Sequence, residues 1–257
     1  MGAAAHGYFW ERRDVGLTKV DLPVRGLPHA FDGLRVGFVT DLHLSAQVPV
    51  ETVVAAVSLL NAQAPDLTLL GGDYVSFAER AFMGPAAEVL GVLRAAHGVF
   101  GIIGNHDDER HMPAALRAQQ IGMLLDDHTA IERQGERLTL VGLKFWTNKP
   151  RQIHEVVSRS VGPRLLLAHD PRRIADAAQQ GIPAVLAGHT HGGQVVLPGL
   201  GAIAARRFPV AAGRASRDDA EMFVSRGVGT VVIPIRFNCP PEVVVVTLRA
   251  KPTAALR

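Results

Sequence analysis

A single cysteine, Cys239, stands among 257 residues. That excludes a disulfide framework and a thiolate zinc cluster, so any metal must sit on imidazole and oxygen. Aromatic residues are 5% of the chain, too few for platforms that stack bases, and no nucleic-acid partner is expected. Lysine occurs only at positions 19, 144, 149 and 251. Nearly all positive charge is therefore arginine, which suits bidentate phosphate contact. The longest apolar runs, such as Val53–Leu60 and Val243–Leu248, fall well short of the roughly 20 residues that span a bilayer. Arg12 and Arg13 lead into Asp14 and a mixed polar segment, not into the apolar stretch of an export signal. A cytoplasmic location is expected, with peripheral contact at a membrane surface as its variant.

Hydrophobic residues make up 47% and charged residues 20%, enough apolar material for a substantial core. The absence of a repeat or a low-complexity linker predicts one domain over residues 1–257. Residues 1–30 read as an N-terminal arm or edge strand, with Phe9 and Trp10 as packing anchors. Beyond Leu34, apolar runs alternate with helical stretches. The runs are Leu34–Val39, Leu67–Leu70, Val99–Ile103, Arg164–Ala168 and Ala184–Ala187. Helices are expected at Pro49–Gln63, Pro85–Ala96, Pro113–Gln120 and Arg172–Gln180, the pattern of β-α-β units. Arg133-Gln-Gly-Glu136 reads as a hairpin turn before a returning strand, Arg137–Leu143. Further strands are predicted near Val195, Met222–Ser225, Thr230–Pro234 and Val243–Leu248. Strands apolar on both faces, such as Leu165–Ala168, must be covered on both sides, which favours an α/β sandwich of two mixed sheets.

Potential ligands follow nearly every run: Thr40-Asp41-Leu42-His43, Gly71-Gly72-Asp73, Gly104-Asn105-His106-Asp107, His169-Asp170 and Gly188-His189-Thr190-His191. Each is weak alone. Asp41 and His43 are two apart and, at an extended strand end, would point to the same side. Asp73 reads equally as a helix N-cap, and Asn105 as part of a turn. Ligands in open α/β sheets bind at the carboxyl ends of strands, so the segments pool their side chains there. Together they point to a dinuclear metal site.

At these residues the sequence resembles the calcineurin-like metallophosphoesterases: the set Asp-x-His, Gly-Asp, Gly-Asn-His-Asp, His and Gly-His-x-His is complete between Leu34 and Gln194. The resemblance implies a four-layer α-β-β-α sandwich. It implies one metal held by Asp41, His43, Asp73 and His191 and a second by Asp73, Asn105, His169 and His189. Such a ligand set suits two divalent ions, Mn, Fe, Zn or Co, without choosing among them. His106 falls outside that set and is read on the leaving-group side, as proton donor or as a positive partner for the transition-state oxygens, with Asp107 orienting it. Leu27-Pro28, Gly192-Gly193-Gln194, Ser225-Arg226-Gly227, Pro234-Ile235-Arg236-Phe237 and Pro241-Glu242 further resemble a branch of bacterial membrane-associated phosphodiesterases similar to UDP-2,3-diacylglucosamine pyrophosphatase. Thr40 departs from that branch, where serine is usual, and residues 1–30 carry none of its customary anchor or export signal.

The expected activity is metal-dependent hydrolysis of a phosphate ester, as a phosphodiesterase or pyrophosphatase on a lipid-linked or nucleotide-sugar substrate. The alternatives are a nucleotide or cyclic-nucleotide phosphodiesterase, and a non-catalytic scaffold that keeps the fold. Net charge is +3, yet no Asp or Glu occurs from Ala177 to Arg217, a stretch that holds Arg206, Arg207, Arg214 and Arg217. Arg206 and Arg207 are therefore candidates for substrate binding, and their loop for contact with an anionic membrane surface. His6, His29, His97, His111, His128 and His154 are expected to bind no metal. Cys239 reads as a packed thiol, Asp126 and Asp127 as a solvated turn, and Asp108 and Glu109 as surface charge.

Overall fold

In a computed structural model that describes residues 3–251, the apolar runs divide their side chains between two sides. In β2 (Arg35–Val39), Val36 and Phe38 face one core and Val39 another. In β8 (Arg164–Ala168), Leu165 and Leu167 join the same central core as Phe38, while Leu166 and Ala168 face away. Period-two alternation along a continuous apolar strand therefore builds separate cores. The central one lies between two six-stranded sheets.

The first sheet is ordered β1 (Gly16–Arg25), β12 (Glu242–Lys251), β2, β3 (Leu67–Leu70), β4 (Val99–Gly101) and β5 (Gly122–Met123). The second is β10 (Gly213–Arg217), β11 (Ala220–Val224), β9 (Ala184–Ala187), β8, β7 (Glu136–Leu143) and β6 (Asp127–Arg133). Helices α2 (Val50–Asn61), α3 (Arg80–Leu90) and α4 (His111–Ala118) cover the outer face of the first sheet. Helices α5 (Pro150–Ser158) and α6 (Ile174–Gln179) cover the second. The result is the expected α-β-β-α arrangement. Strands β2 to β5 run parallel to one another, as do β7, β8, β9 and β11. Their carboxyl ends meet at one end of the sandwich.

The hairpin between β6 and β7 turns on Gln134 and Gly135, both with positive φ, so two residues reverse the chain as its sequence predicts. Four expectations need correction. Helix α3 starts at Arg80, not Pro85, and ends at Leu90; Pro85 lies inside it on the solvent face, where water can take the carbonyl left without an N–H partner. Residues 230–234 form no strand, because the Gln194 side chain accepts from Val231 N and donates to Ile233 O, holding them as a loop. Phe9 and Trp10, at the end of α1 (Ala3–Phe9) and just beyond it, are 57% and 49% exposed and anchor no core. Asp126 is tied down, accepting from Lys144 N and Thr147 Oγ1. Four elements escaped the sequence pattern: α1, the two-residue strand β5, α5, and β10, whose residues Gly-Arg-Ala-Ser-Arg are half-buried or exposed.

Candidate metal centre

Strand β2 stops at Val39, and the chain leaves it by turns, not by extended backbone. Asp41 and His43 have φ of 54° and 48°, so their convergence comes from left-handed backbone and not from strand alternation as expected. Asp73, His189 and His191 adopt the same region, at 56°, 71° and 52°. Each such non-glycine residue costs about 1 kcal/mol or more, and persists only where its surroundings fix it. Here they do: Asp41 N donates to Gly72 O, His43 N to Asp73 O, and Gly229 N to Asp41 O. Two glycines make the approach of these loops possible. A Cβ on Gly188 would fall 2.3 Å from Asp41 Oδ2, and one on Gly72 would fall 2.4 Å from Gly104 N, at a φ of 92°.

The turns bring the predicted ligands into two groups. Asp41, His43 and His191 form the first, fully buried; Asp73, His169 and His189 form the second, in which His189 is half-buried. Asp73 reaches both, its Oδ2 lying 3.5 Å from His43 Nε2 and 3.2 Å from His169 Nε2. His43 Nε2 and His191 Nε2 are 3.1 Å apart, and His191 Nε2 lies 3.4 Å from Asp41 Oδ1. The second group also has Asn105 nearby, whose buried Oδ1 has no hydrogen-bond partner; neither does His169 Nε2. His169 Nδ1 sits 2.7 Å from Gly71 O, which fixes a proton on Nδ1 and turns Nε2 inward, toward Asp73. Convergent, buried carboxylate, imidazole and amide donors, with Asn105 Oδ1 left without a protein partner, are what divalent cations require, and these residues fit them. Neither group includes His6, His29, His97, His111, His128 or His154.

Burial disfavours charge throughout the cluster, and the neighbours decide which groups resist it. Desolvation, together with nearby cations, pushes His43 down to about 3. His189 is pushed to about 4 by burial and by His169. For His169 burial also opposes protonation, but the Asp73 and Asp41 carboxylates outweigh it and hold the imidazole up at about 10. Burial raises Asp41 to about 6, whereas His169 and His43 hold Asp73 well below the usual carboxylate range despite its burial.

Asp107 does not orient His106. Its buried carboxylate accepts from Asp73 N, Tyr74 N and Gly104 N at 2.8–2.9 Å, locking the backbone that carries Asp73. His106 is set by other contacts. Its backbone N donates to Asp73 Oδ1, its ring lies 4.8 Å from that of His43, and Phe77 N donates to its Nδ1. With Nδ1 accepting, the neutral ring carries its proton on Nε2, where it can be donated in a hydrogen bond.

Arg236 escaped sequence reasoning as a functional residue. Its side chain is fully buried, and its guanidinium donates to the carbonyls of Arg226, Gly227, Gly229 and Cys239, with His191 O at 3.5 Å. Its place in the Pro234–Phe237 string was the available signal. Burial raises the Cys239 thiol above its ordinary value, as suits a packed sulfur.

Above the cluster opens a cavity of about 650 Å³. Asp73, Asn105, His106, His189 and His191 line its floor, and Leu197, Ile203, Phe208 and Val231–Ile233 its walls. Arg207 lines it too, whereas Arg206 points elsewhere and donates to Leu200 O.

A four-layer α-β-β-α sandwich with these buried carboxylate and imidazole groups under a cleft is the architecture of a metal-dependent phosphoester hydrolase. Residues 34–193 match the family described as calcineurin-like phosphoesterase. The Escherichia coli K12 protein named phosphodiesterase YaeI is 32% identical over 225 residues, covering 83% of this chain and 82% of its own. A Danio rerio transmembrane protein with metallophosphoesterase domain is 28% identical over 96% of this chain, which spans 60% of that relative. Among solved structures, Haemophilus influenzae NAD nucleotidase superposes with a TM-score of 0.54 at 13% identity, over 76% of this chain and 45% of that one. That likeness concerns the fold alone. The chain belongs to the calcineurin-like metallophosphoesterases, and it is a metal-dependent phosphoester hydrolase.

Proposed function

We propose that the chain hydrolyses a phosphodiester or a pyrophosphate, with Asp41, His43, Asp73 and His191 as ligands of one divalent ion and Asp73, Asn105, His169 and His189 as ligands of another. Two such ions would supply Lewis acidity and an activated water. The observation that carries the reading is the convergence of buried carboxylates and imidazoles in two groups that Asp73 reaches together, with the partnerless Asn105 Oδ1 beside them, beneath an open cleft whose floor includes a half-buried histidine. His106 acts on the leaving-group side, as the imidazolium that gives a proton to the leaving oxygen and returns to the neutral ring, and Asp107 keeps Asp73 in place. Arg207 binds the phosphate from the wall, with Arg206 as a second cation on the same loop. The apolar wall favours an ester with a greasy portion, lipid-linked or carried on a nucleotide sugar. Peripheral contact with an anionic membrane through the Arg206–Arg207 loop belongs to the same reading.

The test joins metal analysis to hydrolysis of bis-p-nitrophenyl phosphate, followed by a panel of lipid-linked, nucleotide-sugar and cyclic-nucleotide esters. Bound Mn, Fe, Co or Zn and chelator-sensitive turnover are expected. A metal-free, inactive purified chain would instead indicate a scaffold, and preference for cyclic nucleotides would remove the lipid-linked assignment.

A further inference from the structure

Exposed apolar side chains border the cleft. Leu200 is 57% exposed, Ile203 47%, Val232 77% and Ile233 46%, and a second set, Tyr8, Phe9 and Trp10, stands at the end of α1. Single exposed hydrophobic residues are ordinary, but a continuous border of them is not. Continuity here is covalent and hydrogen-bonded. Arg236 N donates to Gly7 O, and α1 sits so close that a Cβ on Gly7 would fall 2.2 Å from Arg236 O. Phe237 N donates to Gln194 O and Val196 N to Phe237 O, which leads into the turn at Leu197–Gly201. The three segments therefore lie edge to edge beside the metal ligands.

The N-terminal rings are held outward, not loosely. The Arg12 guanidinium is 4.3 Å from the Tyr8 ring centroid, and the side chain donates to Tyr8 O and Gln47 O. Tyr8 meets Phe9 edge-on at 4.9 Å, and Phe9 meets Trp10 at 5.8 Å. Charge at the cleft end of the border has one sign. Arg206 and Arg207 are exposed within a stretch that has no Asp or Glu from Ala177 to Arg217, while beside the rings Glu11 and Asp14 balance Arg12 and Arg13.

We propose that this border docks on an anionic lipid bilayer, with Tyr8, Phe9, Trp10 and Leu200 in the interfacial layer and Arg206 against the headgroups. Amphipathic rings favour that layer, and arginines in an acid-free setting favour anionic lipid. A cleft with this border opens onto the membrane surface. The proposal extends the peripheral contact suggested for the Arg206–Arg207 loop, but most of its residues lie outside the catalytic floor.

Co-sedimentation of the full chain with phosphatidylglycerol-containing vesicles, against pure phosphatidylcholine vesicles, tests it. Binding to the anionic vesicles that weakens with salt is expected. Phe9→Glu, Trp10→Glu and Leu200→Glu together should weaken it by about tenfold or more while bis-p-nitrophenyl phosphate is hydrolysed at the parent rate. Arg206→Glu alone should weaken it by about fivefold. Vesicles should shift tryptophan emission to the blue, with most of the shift lost in Trp10→Phe. Equal sedimentation of the triple variant and parent overturns the proposal, as does a stable dimer in solution that buries these rings. Loss of bis-p-nitrophenyl phosphate turnover in the parent, with vesicle binding intact, would break the hydrolase reading instead.

Discussion

The floor and the wall of the cleft are built on opposite terms. On the floor, Asp41, His43, Asp73 and His191 are buried, carry left-handed backbone, and depend on loops that donate into one another. In the wall, Val232 and Ile233 are exposed and tied mainly through the Gln194 side chain. A change on the floor strands a buried charge, at about 3–5 kcal/mol. One in the wall alters exposed surface, usually within about 0.5 kcal/mol. On the proposed assignment, chemistry common to phosphoesters would belong to the floor, and choice of ester to the wall, which can vary without unsettling the ligands.

Substitutions can break that division, and Asp73→Asn strikes hardest. It removes the carboxylate that approaches both His43 and His169, and turnover should fall about a thousandfold or more with loss of metal; a variant that keeps metal and rate would end the shared-ligand assignment. His106→Asn should retain metal and lose about a hundredfold or more on an ester with a poor, alkoxide leaving group. The loss should shrink with p-nitrophenolate, which needs no proton, and equal losses on both esters would rule out the proton-donor role. Asp107→Asn should cost about ten- to a hundredfold in metal affinity, measured by calorimetry, since it supports Asp73 and not His106. From the wall, Arg207→Ala should raise KM about tenfold for an anionic ester and leave kcat unchanged; a fall in kcat would move Arg207 into the chemistry.

The smallest effect is in protons. His169, at about 10 in the metal-free chain, is raised above its ordinary value and remains protonated at neutral pH, while His43 at about 3 and His189 at about 4 are neutral. A raised histidine contributes stability that is fully present below about 6.5 and fades as pH climbs to 10. A metal held by His169 as proposed would have to displace that proton. Calorimetry in buffers of different ionisation enthalpy should report about one proton released near pH 7.5, and metal affinity should rise with pH up to 10. Binding without proton release would show His169 to be free of metal.

How far the sequence spoke can be traced residue by residue. Runs such as Leu165–Ala168 and Leu67–Leu70 announce strands covered on both faces, and Gln134-Gly135 announces its turn, because burial and positive φ act locally. The ligand segments were legible as a series at strand ends. Their left-handed backbone was not, since two residues of spacing fit extended and turned chains alike. Nor was the true partner of Asp107, because three backbone N–H groups leave no trace in residue type. Residues 230–234 look like a strand, and only a distant glutamine makes them a loop.

Arg236 holds its guanidinium among carbonyls directly behind His191, and its charge cannot be titrated away in the physiological range. After burial itself, that charge is among the influences that keep His43 and His191 unprotonated. Protons are the commonest rivals of a metal for an imidazole nitrogen. On the proposed ligand assignment, an arginine that meets neither metal nor ester would make those two imidazoles harder for acid to displace from the metal.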